Sequence, residues 1–294
     1  MKKNQIEISV IIVTYNSEAH IFDCIDSIYK YNSIGDKLEI VVVDNGSKDV
    51  SAMFEEICCR FGKQIVCISN TSNGGYGQGN NVGIKHARGD IILIMNPDVR
   101  LTCDVFATAL GAFRDNSLCM MGLRQRYSTR VAASSFFLAS IKYSPVEYLL
   151  NRIFNRLNIY IPSWMCFEGA CFFVSKPKII EAGLFDENIF MYCEEIDLHK
   201  RMKQRGKFRY VKTLEYIHLA GNRTWSIVSM EREFVSRVYM CKKYHKNIKQ
   251  YLFNLKLWHV IHKIYSRKQY SLVADSWGKY LKRQTAQFRN DNTR

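Results

Sequence analysis

The sequence predicts an α/β fold, a mostly parallel sheet flanked by helices, with a basic helical extension after it. Three features predict this. Short runs of β-branched residues alternate with segments of helical spacing between residues 8 and 95, the pattern of strands buried on both faces and joined by crossover helices. The runs end in polar residues suited to turns. After Met230 the strand pattern gives way to aromatic residues interleaved with lysines.

Taken in order, Ile8 to Thr14 (ISVIIVT) is a near-continuous β-branched run and reads as a central strand. Ser17 stands at a helix N-cap position, and Ile21, Cys24, Ile25 and Ile28 follow at helical spacing. Leu38 to Val43 is a second strand, closed by the turn Asp44-Asn45-Gly46. Phe54, Ile57, Cys58 and Phe61 mark a second helix, and Ile65 to Ile68 a third strand. A glycine-rich loop leads to a helix from about Gly79 to Ala87. Ile91 to Met95 is a fourth strand and stops at Asn96-Pro97-Asp98. Ligands of such sheets bind beyond the carboxyl ends of the strands. Tyr15, Asp44, Asn73 and Asp98 each lie just past a strand end, so the pattern sets them along one rim. Leu123 to Pro162 mixes aromatic and basic residues without a clear period. Order resumes with a short strand at Gly169 to Val174, Pro177 in the first turn of a helix, a helix from near Cys193 to Gly206, and a strand at Phe208 to Val211.

The net charge of +15 is uneven. Up to Arg130 there are 14 Lys/Arg and 14 Asp/Glu; residues 131–294 hold the other 28 and 13. The basic second half calls for a polyanionic surface as partner, nucleic acid or anionic lipid. Ten cysteines are scattered without C-x-x-C pairs or zinc spacing, and no secretory signal precedes them, which suits a reducing cytosol. No apolar stretch reaches the length of a membrane span.

The residues that could carry chemistry lie on the rim. Asp98 sits on a rigid strand end, where a carboxylate can hold a divalent cation against a diphosphate; as a turn residue after proline it needs no such role. Asn73-Gly74-Gly75-Tyr76-Gly77-Gln78-Gly79-Asn80-Asn81 is neither a dinucleotide fingerprint nor a Walker loop. Its glycines would let backbone approach a ligand, and amides at a helix start favour anions. Glu194-Glu195-Ile196-Asp197 puts three acids in one helical turn, either as complement to the helix dipole or as a source of a general base. His218 fits a metal ligand or an ordinary histidine.

Five segments stand in register: Ile8 to Asn16 (ISVIIVTYN), Ile40 to Ser47 (IVVVDNGS), Asn73 to Asn81, Asn96-Pro97-Asp98, and Glu194 to Leu198. Together they resemble the family-2 glycosyltransferases of the GT-A fold, whose sheet is Rossmann-like, and within them the rhamnosyltransferase-like branch that builds bacterial surface polysaccharides. Gly169 to Val174 (GACFFV) and Gly183 to Glu187 (GLFDE) match the same family. The resemblance covers roughly residues 6–225.

It implies an inverting, metal-dependent enzyme that uses Mn2+ or Mg2+. The donor is a nucleotide-diphosphate sugar, with dTDP-rhamnose as the branch's example. The acceptor is a hydroxyl of a lipid-linked or polysaccharide glycan, as in O-antigen or capsule synthesis. Thr14, Tyr15 and Asn16 would border the base, and Asp44, with Asn45 after it, would bind base or ribose. Asn73, Gly74, Gly75 and Asn80 would line the donor pocket. Asp98 would hold the metal, with Asn96 in place of the first acid of the usual D-x-D and His218 as a further ligand. Glu195 falls where the family has its catalytic Asp, one methylene longer, with Glu194 as the neighbouring candidate. A helical residue advances by about 100°, so Glu194 and Asp197 share a face and Glu195 projects elsewhere. The domain reading is 1–225 for the catalytic unit, with about 1–122 for the nucleotide sugar and 163–225 for acceptor and base, and 226–294 for the basic extension. The extension, through Lys242 to Arg283 with Tyr251, Trp258, Tyr265 and Trp277, is expected to bring a cytoplasmic enzyme to the anionic inner face of the plasma membrane. No nucleic-acid partner is expected. Two other readings compete. A basic nucleic-acid binder leaves the neutral first half unexplained, and a sugar nucleotidyltransferase needs a glycine-rich basic loop where Tyr15-Asn16-Ser17 stands.

Overall fold

The computed structural model describes residues 5–62, 64–219, 226–265 and 268–290. The strands are β1 (Ile8–Thr14), β2 (Leu38–Asp44), β3 (Val66–Ser69), β4 (Ile91–Met95), β5 (Val99–Leu101), β6 (Leu118–Arg126), β7 (Phe136–Leu138), β8 (Met165–Phe167), β9 (Cys171–Ser175) and β10 (Lys207–His218). The helices are α1 (Glu18–Lys30), α2 (Val50–Phe61), α3 (Tyr76–His86), α4 (Phe106–Ala112), α5 (Pro145–Leu157), α6 (Lys176–Glu181), α7 (Glu194–Met202), α8 (Ile227–Lys243), α9 (Ile248–Tyr265) and α10 (Lys268–Asn290).

Eight strands form one sheet in the order β3-β2-β1-β4-β9-β6-β10-β5. Six run parallel; β9 and β5 run against their neighbours. The expected strands β1 to β4 all belong to the parallel set, and β1, β2 and β4 are buried almost throughout. Alternation along β1 sorts the core: Ile8, Val10 and Ile12 pack with α1, α2 and α4 on one face, and Ile11 packs with α3, α6 and α7 on the other. The result is three layers, helices on both faces of a sheet. A separate pair, β7 and β8, lies outside it.

Several elements differ from the sequence reading. α3 begins at Tyr76 rather than near Gly79, because Gly75, at φ +93°, takes the cap position in a conformation open chiefly to glycine. β10 runs on to His218 through a register shift between Val211 and Glu215, so the stretch 212–214 that hid the strand bulges out and pairing with β6 resumes at Glu215. The aperiodic middle resolves into β6, β7 and α5, the last started by a capping box of Ser144 and Glu147.

Helices α8 to α10 do not stand apart. Met230, Phe234, Tyr251, Leu255 and Trp277 share a core with Ile141, Cys166, Ile189 and Ile196 of the preceding chain. The expected interfacial aromatics are therefore corrected: Tyr251 and Trp277 are buried and Trp258 is half-buried between Tyr143, Tyr148 and His262. Apolar burial within the helical cap takes them out of reach of a lipid surface. The side chain of Tyr265, and the expected boundary at residue 225, lie outside the described residues. All ten cysteines are unpaired, and no described helix is long and apolar enough to cross a membrane.

Candidate active site

The rim at the carboxyl ends of β1, β2 and β4 is built by side chains that hold one another. Asp44, at the end of β2, is fully buried. One oxygen accepts from the amides of Gly46 (3.0 Å) and Ser47 (2.7 Å), the other from the hydroxyls of Thr14 (2.9 Å) and Ser47 (2.5 Å). Thr14 is fully buried too. As folded here, Asp44 shapes the loop, and Tyr15 and Asn16 are what that loop presents to solvent. The Asn16 amide donates to Ser47 Oγ at 2.7 Å, so the two strand-end loops are tied. Asn45 is also buried and acts as a strut: its side chain donates to the Gly75 carbonyl (2.9 Å) and accepts from Asn70 (2.7 Å).

The glycine-rich segment wraps from this strut into α3. Asn73 Oδ1 accepts from the Gly75 amide at 2.9 Å. A Cβ on Gly74 would meet the Gln78 side chain, and one on Gly75 would overlap the Phe190 carbonyl, so the segment packs against the loop before α7. Asn80 is buried, donates to the Tyr76 carbonyl at 2.9 Å, and keeps its side-chain oxygen without a hydrogen bond. An acceptor left bare in the interior costs free energy, and this one lies in the segment expected to meet the donor.

Asn96-Pro97-Asp98 caps β4. The Asn96 amide donates to the Ala170 carbonyl at 2.8 Å, and the Val99 amide closes the turn onto Asn96 at 3.1 Å. β5 then pairs antiparallel with β10, setting His218 opposite Val99. That pairing brings His218 Nε2 to 3.3 Å from Asp98 Oδ1. His218 Nε2 is buried and has no hydrogen bond of proper geometry. A half-buried carboxylate beside an uncommitted imidazole nitrogen is a mixed O and N donor pair that suits a Mn2+ or Mg2+ ion sharing its other positions with phosphate and water. Among the described residues no group of three or more His, Cys, Asp or Glu could hold a metal.

The three acids of α7 part ways. Asp197, fully buried, is bound by Arg201 (2.6 Å), Lys243 (2.5 Å) and the Tyr244 hydroxyl (2.7 Å). Glu194 is buried on the same face, and desolvation together with the Glu195 charge pushes its carboxyl well above the usual range. Glu195 is half-buried on another face and lies against Gly169, where a Cβ would overlap Oε1. The Tyr76 hydroxyl donates to the Gly169 carbonyl at 2.5 Å. Burial and the two glutamates raise the Tyr76 pKa far above its ordinary value, which keeps it a donor. Gly169 touches Glu195, and Ala170 next to it holds Asn96. One dipeptide thus joins the strand end of Asp98 and His218 to the helix of Glu195.

Sequence reasoning missed Tyr76, Ser47 and the special need for glycine at 169. It also missed the clamp in which Lys243 reaches both Asp186 (2.6 Å) and Asp197. The motif GLFDE was the visible sign of Asp186, but its partner lies 57 residues on.

The fold is of the GT-A type. The PcManGT mannosyltransferase from Pyrobaculum calidifontis, solved with GDP-Man and Mn2+, superposes with a TM-score of 0.63 over 94% of this chain and 80% of its own, at 16% identity. The glycosyltransferase GlyG of Streptococcus pneumoniae is 25% identical over 76% of this chain and 73% of its length. The rhamnosyltransferase WbbL of Escherichia coli is 24% identical over 75% of this chain and 86% of its own length. The model of glycosyl transferase family 2 matches residues 9–180, and the chain belongs to that family. The family settles the class as glycosyltransferase and replaces the nucleotidyltransferase and nucleic-acid-binder readings.

Proposed function

We propose that this glycosyltransferase transfers a sugar, with inversion, from a nucleotide-diphosphate sugar to a hydroxyl of a lipid-linked or polysaccharide acceptor in bacterial surface glycan synthesis. The observation that carries it is the junction at 169–170: Ala170 holds the strand end that bears Asp98, through Asn96, and Gly169 lies against Glu195. The name of the relative WbbL favours a deoxyhexose donor of the dTDP-rhamnose kind, and a lipid-linked acceptor favours work at the inner face of the plasma membrane.

Tyr15 and Asn16 border the base, on a loop held in place by Asp44 and Asn45. Asn73 to Asn80 line the donor pocket, with the Asn80 oxygen free to accept from the donor. Asp98 and His218 hold the cation, which when bound neutralises charge on the departing diphosphate. Asn96, whose backbone is tied to Ala170, positions Asp98 and is not itself charged. Glu195 accepts the proton of the acceptor hydroxyl as its oxygen bonds to the anomeric carbon. The bond from that carbon to the diphosphate oxygen breaks on the opposite side. Burial disfavours the charged form of Glu194 beside the base, an arrangement that separates two adjacent carboxyls into distinct roles.

The test is a screen of nucleotide sugars for protein-dependent release of nucleoside diphosphate, with mass and linkage analysis of any product. Release with dTDP-rhamnose and a product of inverted anomeric configuration is expected. Retention of configuration, or full turnover in excess chelator, overturns the mechanism.

A further inference from the structure

We infer that α5 and α9 form a docking surface for an anionic lipid bilayer; α9 lies within the lysine-rich segment that the sequence singles out, but the side chains it offers are not the aromatic ones named there. The inference rests on the membrane reading above and gives it a place on the molecule.

The orientation of α5 carries the argument. Val146, Leu149, Leu150, Ile153 and Leu157 recur at helical spacing and form one apolar row. An amphipathic helix of a soluble domain ordinarily turns such a row inward. Here no residue of α5 is buried, and the five side chains are 37% to 65% exposed. The helix is fastened instead by its polar face. Asn151 Oδ1 accepts from the Leu138 amide at 2.8 Å, and Asn155 Oδ1 from the Ser135 amide at 2.8 Å. The Asn155 side chain also donates to the Phe136 carbonyl at 2.8 Å. These bonds lock the helix with its apolar row outward.

The neighbouring helix repeats the pattern. α9 buries Tyr251, Leu252 and Leu255, and exposes Phe253, Leu257, Val260 and Ile264, again one row at helical spacing. The helices touch: Tyr148 meets Trp258 edge to face at 5.0 Å, and the Asn254 side chain donates to the Lys142 carbonyl at 2.8 Å.

Charge selects the occupant. Lys249, Lys256 and Lys263 run beside the α9 row, and α9 holds no acid. Arg152 and Arg156 flank the α5 row, and the one acid of that helix, Glu147, is spent on the cap and on Ser140. Two apolar rows, each edged by cations, match an interface of acyl chains below anionic headgroups. A purely electrostatic partner would not call for exposed leucine, and a purely apolar one would not call for the basic edges.

The test is flotation of the full chain with vesicles of phosphatidylcholine plus phosphatidylglycerol and with phosphatidylcholine alone. The variants are Leu149→Asp with Ile153→Asp, Phe253→Asp with Val260→Asp, and Arg152→Glu with Arg156→Glu. Binding to anionic vesicles is expected for the wild type. A loss of at least about tenfold is expected in each aspartate pair, with unchanged melting temperature and donor turnover. The arginine pair should lose only the preference for anionic lipid. Wild type that ignores anionic vesicles overturns the membrane reading and this surface with it. Wild type that floats while both aspartate pairs float equally overturns the surface alone. A wild-type dimer that the aspartate pairs convert to monomer, with no vesicle binding, assigns the face to a second copy and overturns the proposal.

Discussion

Asp44 and Asp197 are both fully buried carboxylates, yet their partners come from different distances. Asp44 is satisfied by Thr14 on the adjacent strand and by Gly46 and Ser47 two and three residues on. Asp197 is satisfied by Arg201 one turn away and by Lys243 and Tyr244 from α8. The same contrast separates two 13-residue helices. α1 turns its apolar stripe into the sheet, where Ile21, Cys24, Ile25 and Ile28 are buried, while α5 turns its stripe to solvent. The Asp44 loop is thus assembled from within the first half of the chain. The roles of the α7 acids, and the facing of α5, are assigned by segments far off in sequence. A short-range pattern reveals which residues share a face, and only long-range contacts decide what that face meets.

The largest effect should come at the point where both kinds of assembly meet. Asp98→Ala should abolish transfer and metal-dependent donor binding while the melting curve stays within the range of a surface substitution. Turnover and donor titration with and without Mn2+ check this. Glu195→Gln should cut turnover on the order of 10²-fold or more and leave donor affinity nearly unchanged. A KM against kcat comparison separates that outcome from simple misfolding.

The helix comparison is sharpened by one pair of truncations. Ile25→Ala opens a cavity in a packed face and should cost about 3 kcal/mol in urea unfolding. Leu149→Ala, on the exposed row, should stay within about 0.5 kcal/mol. Equal costs would mean that α5 meets protein after all.

His199 tests the long-range side by pH. Burial, with Lys203 and Lys200 nearby, lowers its pKa from the ordinary 6.5 to about 4. Between these values the unfolded chain binds the proton and the folded one does not, so stability is full above pH 6.5 and falls as the pH drops toward 4. His199 alone should remove about 2 kcal/mol between pH 7 and pH 5, and His199→Phe should flatten that slope in urea midpoints taken across the range. The smallest effect should be that of Glu194→Gln. It replaces a carboxyl whose charged form is disfavoured by burial and by Glu195, so turnover should stay within about threefold. If Glu194→Gln is inactive while Glu195→Gln transfers sugar, the base is the earlier residue.

The parallel strands β1 to β4 were legible because β-branched runs buried on both faces leave little else for the chain to do. The rim positions followed from where those runs stop. β5 has three residues, too short for any period, so the pairing that brings His218 to Asp98 was invisible until the chain was folded. β6 mixes methionine, glycine and arginine and carries no β-branched residue, which hid a strand that lies well inside the sheet. The α7 helix was legible and the 100° argument placed Glu195 apart from Glu194 and Asp197. Nothing in the sequence showed that Lys243 would neutralise Asp197, or that Glu194 would be sealed away from water.

The contact between Gly169 and Glu195 limits how this enzyme could drift. Position 169 has space for a hydrogen atom only while a glutamate lies across it. Shortening residue 195 to aspartate would draw the carboxylate back by one methylene and release the volume that a methyl at 169 requires. A methyl at 169 would push on the far end of the Glu195 side chain and not on backbone, so alanine there should move the carboxylate while leaving the fold intact, and the two residues, 26 apart along the chain, act as one unit.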